Sequence, residues 1–80
     1  MDVDQILASE DLRLKVWRQV KSIPMTPKNR ETLKCMLYHG DGRQEMAERL
    51  GITPDQASVK INRLGKVPLA HLLDQGKVVV

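Results

Sequence analysis

Residues 43–64 read RQEMAERLGITPDQASVKINRL, and this stretch decides the fold. A small residue, Ala47, sits where two helices can cross closely. Four positions on, Gly51 permits the positive φ of a three- to four-residue turn. Ile52 follows as a core plug. Thr53-Pro54-Asp55-Gln56 then writes a helix start. Thr53 caps, Pro54 takes the first helical position, and Gln56 stands where a capping box takes Glu or Gln. Ala57, Ile61 and Leu64 recur at i, i+4 and i+7 and give this helix one buried stripe. The spacing is that of a helix-turn-helix, two helices at a steep angle with the second protruding toward a major groove. The plainer alternative is an ordinary helical hairpin in a small bundle.

At about 100° per residue, Asp55, Val59, Asn62 and Lys66 lie opposite that stripe, flanked by Ser58 and Arg63. Thr53, Asp55, Gln56, Ser58, Val59 and Asn62 are therefore candidates for base edges. Asn62 or Gln56 has the donor–acceptor pair that matches adenine, Val59 suits a thymine methyl, and Asp55 can accept from cytosine. Asp55 equally suits the helix N-terminus, Gln56 the capping box and Val59 a subunit contact. Arg43, Gln44, Lys60, Arg63 and Lys66 are the candidates for phosphate, where exact position matters less.

Working outward, Gly and Pro mark further helix ends. Val3, Ile6 and Leu7 fit a short first helix or turn. Ser9 caps a second helix, with Glu10 and Asp11 near its positive end and Leu12, Val16, Trp17 and Val20 on one stripe. That helix should stop near Ser22, because Pro24 pushes the residue before it out of the α region. Thr26-Pro27 restarts a helix whose apolar face is Leu33, Met36 and Leu37, and Gly40 ends it as a left-handed cap. The next runs from Arg43 to Leu50, with Met46, Ala47 and Leu50 inward. The helix from Thr53 is expected to end near Gly65. Pro68 then opens a last short helix over Leu69, Leu72 and Leu73, closed by Gly76. All strong elements are helical, so the expected fold is an all-α bundle of four to five helices in one domain, residues 1–80.

The charge balance is +3, from 13 Lys and Arg against 10 Asp and Glu. Its distribution is uneven. Residues 1–11 carry four acids and no base, residues 12–34 a net +6, and residues 56–66 a net +3. An acidic head with two basic stretches suits a protein that meets phosphates on one side. Solvated helix faces would give the same counts.

The 80 residues allow one small core. Trp17 and Tyr38 are the only aromatics, which argues against stacking single-stranded bases. A lone cysteine, Cys35, excludes a disulfide framework and a four-thiolate zinc site. Cys35 with His39, and His71 with Asp74, are pairs at best, and zinc wants four converging ligands. Cys35 reads instead as a small, partly buried thiol, and both histidines as surface residues. No catalytic arrangement or phosphate-binding glycine loop is present, so the expectation is neither an enzyme nor a protein with a cofactor or metal. Met25, Met36 and Met46 read as core filler, and Trp17 as a core anchor. No apolar run approaches the ~20 residues of a membrane helix. The acidic N-terminus lacks the basic lead of a signal peptide, so the expected location is cytoplasmic.

Gly40-Asp41-Gly42-Arg43, Glu45, Glu48-Arg49, Gly51-Ile52, Ser58 and Arg63-Leu64-Gly65-Lys66-Val67 resemble the PapB-type adhesin-operon regulators. The likeness covers about residues 9–73 and is specific over 40–67. It implies a small bacterial transcription regulator acting as an oligomer on AT-rich DNA. Gly65 and Pro68 depart from that family, where the helix runs on. Gly40, Gly42, Leu50-Gly51-Ile52-Thr53, Ser58 and Arg63 also resemble KorA-like plasmid repressors, which implies a dimeric repressor on a palindrome. The run from Glu45 to Pro54 is similar to the DNA-reading domains of sigma factors and LuxR-type regulators. The expected partners are double-stranded DNA and further copies of the chain, with RNA polymerase as a further candidate and no membrane. Val3, Ile6 and Leu7, or the tail Val78–Val80, are the candidate self-association surfaces, or else frayed ends.

Overall fold

Short polar caps set where each helix begins in the computed structural model, which describes residues 2–80. Asp2 and Gln5 form a reciprocal capping box at the head of α1 (Val3–Leu7). The Ser9 hydroxyl accepts from the Leu12 N–H at the start of α2 (Glu10–Val20). Thr26 does the same for Asn29 ahead of α3 (Pro27–Leu33), which runs on without a break through a π-helical segment, Lys34–Tyr38. Gly40, at φ +69°, turns the chain into α4 (Arg43–Leu50). Gly51 then leads to α5 (Pro54–Lys60), a second π-helical segment (Ile61–Lys66) and α6 (Val67–Asp74). The fold is an all-α bundle, with no strand among the described residues and no helix long and apolar enough to cross a membrane.

Two cores meet at α3. Ile6, Val16, Val20, Leu33, Leu37, Leu69 and Val78 fill the first. Cys35, Met36, Met46, Ala47 and Ala57 fill the second, with Leu50, Ile52 and Ile61 packed against it. Because α3 is sandwiched, Cys35, Met36 and Leu37 are all buried in succession, two facing one core and one the other. The one buried polar residue of α3, Thr32, bonds the Lys28 carbonyl at 2.9 Å, so no polar atom is left wanting there. Of the predicted fillers, Met36 and Met46 are buried, whereas Met25 and Trp17 are only half-buried at the rim of the first core.

Two arginines brace α2 against α3 reciprocally. Arg13 of α2 donates to the Leu37 carbonyl at 3.1 Å, near the end of the α3 rod. Arg30 of α3 donates to the Lys21 and Ile23 carbonyls just past the end of α2. Each cation sits where a helix ends and its carbonyls lack partners, which is also the negative end of the dipole. Two of the seven basic residues in the 12–34 stretch are therefore structural.

The tail is docked rather than frayed. Val78 is 3% exposed in the first core. Gln19 closes a two-way bond with Val79, accepting from its N–H at 2.9 Å and donating to its carbonyl at 2.7 Å. Ile6 of α1 is fully buried in the same core. One apolar side chain of each candidate self-association segment, Ile6 and Val78, thus lies inside the molecule, Val3, Leu7 and Val80 are half-buried, and Val79 is exposed.

The expected break at Gly65 does not occur. Residues 54–74 form one helical rod. Gly65 is there for close approach: a Cβ would lie 2.2 Å from the Met36 sulfur, where the rod crosses α3. Pro68 is tolerated because the wide turn before it shifts the ladder, with the Val67 N–H reaching back to the Asn62 carbonyl. The proline then falls in the first turn of α6, where its missing N–H costs little. The inserted turn also changes the inward register. Gly65, not Leu64, takes the buried position after Ile61, and Leu64 is half-buried.

Candidate nucleic-acid interface

The turn between α4 and α5 is built from backbone. Gly51 adopts φ +68° and ψ +36°, and the Ile52 N–H donates to the Ala47 carbonyl at 3.0 Å. Only glycine enters that region without strain. Ile52 then packs against the second core and fixes the exit direction. The start of α5 is closed twice. Thr53 Oγ1 accepts from the Gln56 N–H at 3.1 Å, and Gln56 Oε1 accepts from the Thr53 N–H at 3.0 Å. Ala47 and Ala57, 5% and 0% exposed, let the two helices approach closely.

On the far side of α5, Thr53, Asp55, Gln56, Val59 and Asn62 are exposed and Ser58 is half-buried. Val59 is 49% exposed, an apolar side chain left in water on an otherwise polar face. The two amides are engaged at home. Gln56 spends its oxygen on the cap, and Asn62 donates from Nδ2 to the Ser58 carbonyl at 3.1 Å. Each amide keeps an N–H and an oxygen lone pair free for a base edge. Turning away from its present partner costs less at Asn62, which would give up a solvent-exposed bond and no cap.

The basic candidates divide. Arg43 and Gln44 are exposed in the first turn of α4, and Arg63 is exposed on the π-helical segment. Lys60 is half-buried. Lys66 instead reaches Asp4 of α1, Nζ to Oδ1 at 3.0 Å, so the acidic head shields one of the expected phosphate contacts. Such an exposed pair is worth ~0–1 kcal/mol and yields readily to a better anion.

One feature of the site left no sequence pattern. Arg49 forms a two-pronged bond with Asp41, at 2.7 and 3.2 Å, and the carboxylate is 4% exposed. The pair ties α4 to the loop that precedes it. Asp41's hydrogen bond makes the Arg49 guanidinium hold its proton still more firmly. Cys35 lies beneath. Burial, with Asp41's charge adding to it, pushes its thiol up, so it stays neutral. Among the described residues, no three His, Cys, Asp or Glu side chains converge as a metal site.

No family model, curated protein or solved structure matches this chain.

Proposed function

We propose that this chain is a sequence-specific, double-stranded-DNA-binding transcription regulator that reads the major groove through a helix-turn-helix at residues 43–64. The observation that carries the reading is the exposed Val59–Asn62 flank of a helix that is doubly capped and aimed by a left-handed glycine. Asn62 and Val59 would read bases. Arg43, Gln44, Lys60 and Arg63 would hold phosphates, joined by Lys66 once it leaves Asp4. One module covers few bases, so the working form is a homodimer or higher oligomer in the cytoplasm. Fluorescence anisotropy on duplexes selected from a random pool tests this. About six phosphate contacts give a log–log salt slope near −5. Asn62→Ala should blunt discrimination between sites, and Lys60→Ala should weaken all sites alike. A flat salt response, or both variants binding as the parent does, overturns the reading.

A second reading has its own support. Asp55 is exposed on the proposed groove face, and Lys66 is already paired. Both features lower the local positive charge, which suits a module that docks on RNA polymerase or another regulator and hardly touches DNA. The flat salt response is the outcome that selects it.

A further inference from the structure

A groove of about 580 Å³ lies between α2, the start of α3 and the end of α4. No residue of α5 lines it, so it stands apart from the DNA reading. Its volume falls in the range that takes a small organic molecule. The walls are apolar, from the half-buried faces of Trp17, Met25 and Leu50. The rim is cationic. Lys21 and Lys34 are exposed there, and neither pairs with a carboxylate among the described residues. Arg30 adds a charge held on backbone carbonyls, which leave it uncompensated. Glu31 opposes these three cations, and Arg49 is already matched by Asp41.

An aromatic face beside unpaired cations is complementary to one kind of ligand. We infer that this groove binds a small aromatic carboxylate or sulfonate, its ring against Trp17 and its anion between Lys21 and Lys34. The ring gains apolar burial and an offset contact with the indole, and the ammonium groups supply charge-assisted hydrogen bonds.

Trp17 is the only tryptophan, so it reports occupancy directly. Anilinonaphthalenesulfonate is the first probe, titrated into the full chain while its emission is excited through tryptophan. Saturable one-to-one binding with a Kd on the order of 10–100 µM is expected for a ligand of about twenty heavy atoms. Naphthaleneacetate should displace the probe at concentrations at least about fivefold below those of neutral naphthalenemethanol. The double charge reversal Lys21→Glu, Lys34→Glu should weaken the probe by about five- to tenfold, with helicity by circular dichroism unchanged. Absence of saturable binding overturns the inference. So does equal displacement by acid and alcohol, a comparison made on the unaltered chain and therefore independent of whether the variant folds.

Discussion

Branched aliphatic side chains fill the core between α1, α2, α3, α6 and the tail, whereas sulfur and methyl groups fill the core beneath α4 and α5. Valine and isoleucine have few rotamers and hold shape. Methionine has three rotatable bonds and adapts to its surroundings. The first core is also braced from outside by two arginine clamps and the glutamine that seats the tail. The second is closed by local devices: a left-handed turn, a capping box and the Arg49–Asp41 pair. The difference teaches a division of labour. A stiff frame fills one core, and a lighter helix pair is mounted on it through small residues that permit close approach.

The sharpest attempt to break this comparison removes one large side chain from each core. Leu37 and Met46 are both fully buried. Leu37→Ala should cost about 4 kcal/mol, toward the upper end for such truncations, because its stiff neighbours cannot collapse into the space. Met46→Ala should cost about 2 kcal/mol, because Met36 can follow it inward. Urea melts of both variants measure this. An equal or larger loss at Met46 would mean that the second core is as rigid as the first.

A smaller effect is expected where the two halves touch. Gly65 sits against Met36, and a Cβ there would overlap its sulfur. Gly65→Ala should lose about 1–3 kcal/mol by overpacking. Met36→Ala in the same chain should recover part of that loss, with a coupling of about 1 kcal/mol or more in the double-mutant cycle. Strict additivity would show that the crossing is not where the halves are joined.

Most of the frame was legible in the sequence, because caps and turns are written locally. Ser9, Thr26-Pro27, Gly40, Gly51 and Thr53 through Gln56 all act where their chemistry places them. The continuous rod from α5 to α6 was not. Glycine and proline read as breakers by themselves, and only the crossing with Met36 and the wide turn before Pro68 explain why the helix survives them. The docked tail was hidden for a similar reason: the Gln19–Val79 bonds span sixty positions in the chain. At the candidate interface, helical phase correctly set Val59 and Asn62 in solvent. It could not register that Lys66 is met by Asp4, or that Arg13 and Arg30 are spent on helix ends. Charge counting treats every lysine and arginine as free, and tertiary contacts decide which of them are.

Within the lighter half, the cap comes next in size. Thr53→Ala removes the acceptor for the Gln56 N–H and should cost about 1 kcal/mol. The reciprocal bond survives, because its donor is the backbone N–H of residue 53. If that bond alone holds the direction of α5, Thr53→Ala should lower stability while leaving DNA affinity at selected sites unchanged. Anisotropy and thermal melts on one preparation separate the two. A loss of affinity larger than the loss of stability would instead make the intact cap, and the direction it gives α5, the requirement for binding.

The smallest effect distinguishes the cores by pH. Cys35 is the one buried ionisable side chain in either core. Burial raises its pKa in the folded chain, so the folded state holds the thiol proton to higher pH than the unfolded state does. Its contribution to stability is therefore complete below the unfolded thiol's pKa of about 8.5, and it declines as pH rises beyond that. Cys35→Ala removes this dependence. The stability difference between parent and Cys35→Ala should shrink between pH 7 and pH 10 in urea melts. The difference between parent and Leu37→Ala should stay constant over the same range, because nothing in the first core titrates. Parallel curves for Cys35→Ala would mean that the thiol meets water readily in the folded state, and that the second core is looser than its burial implies.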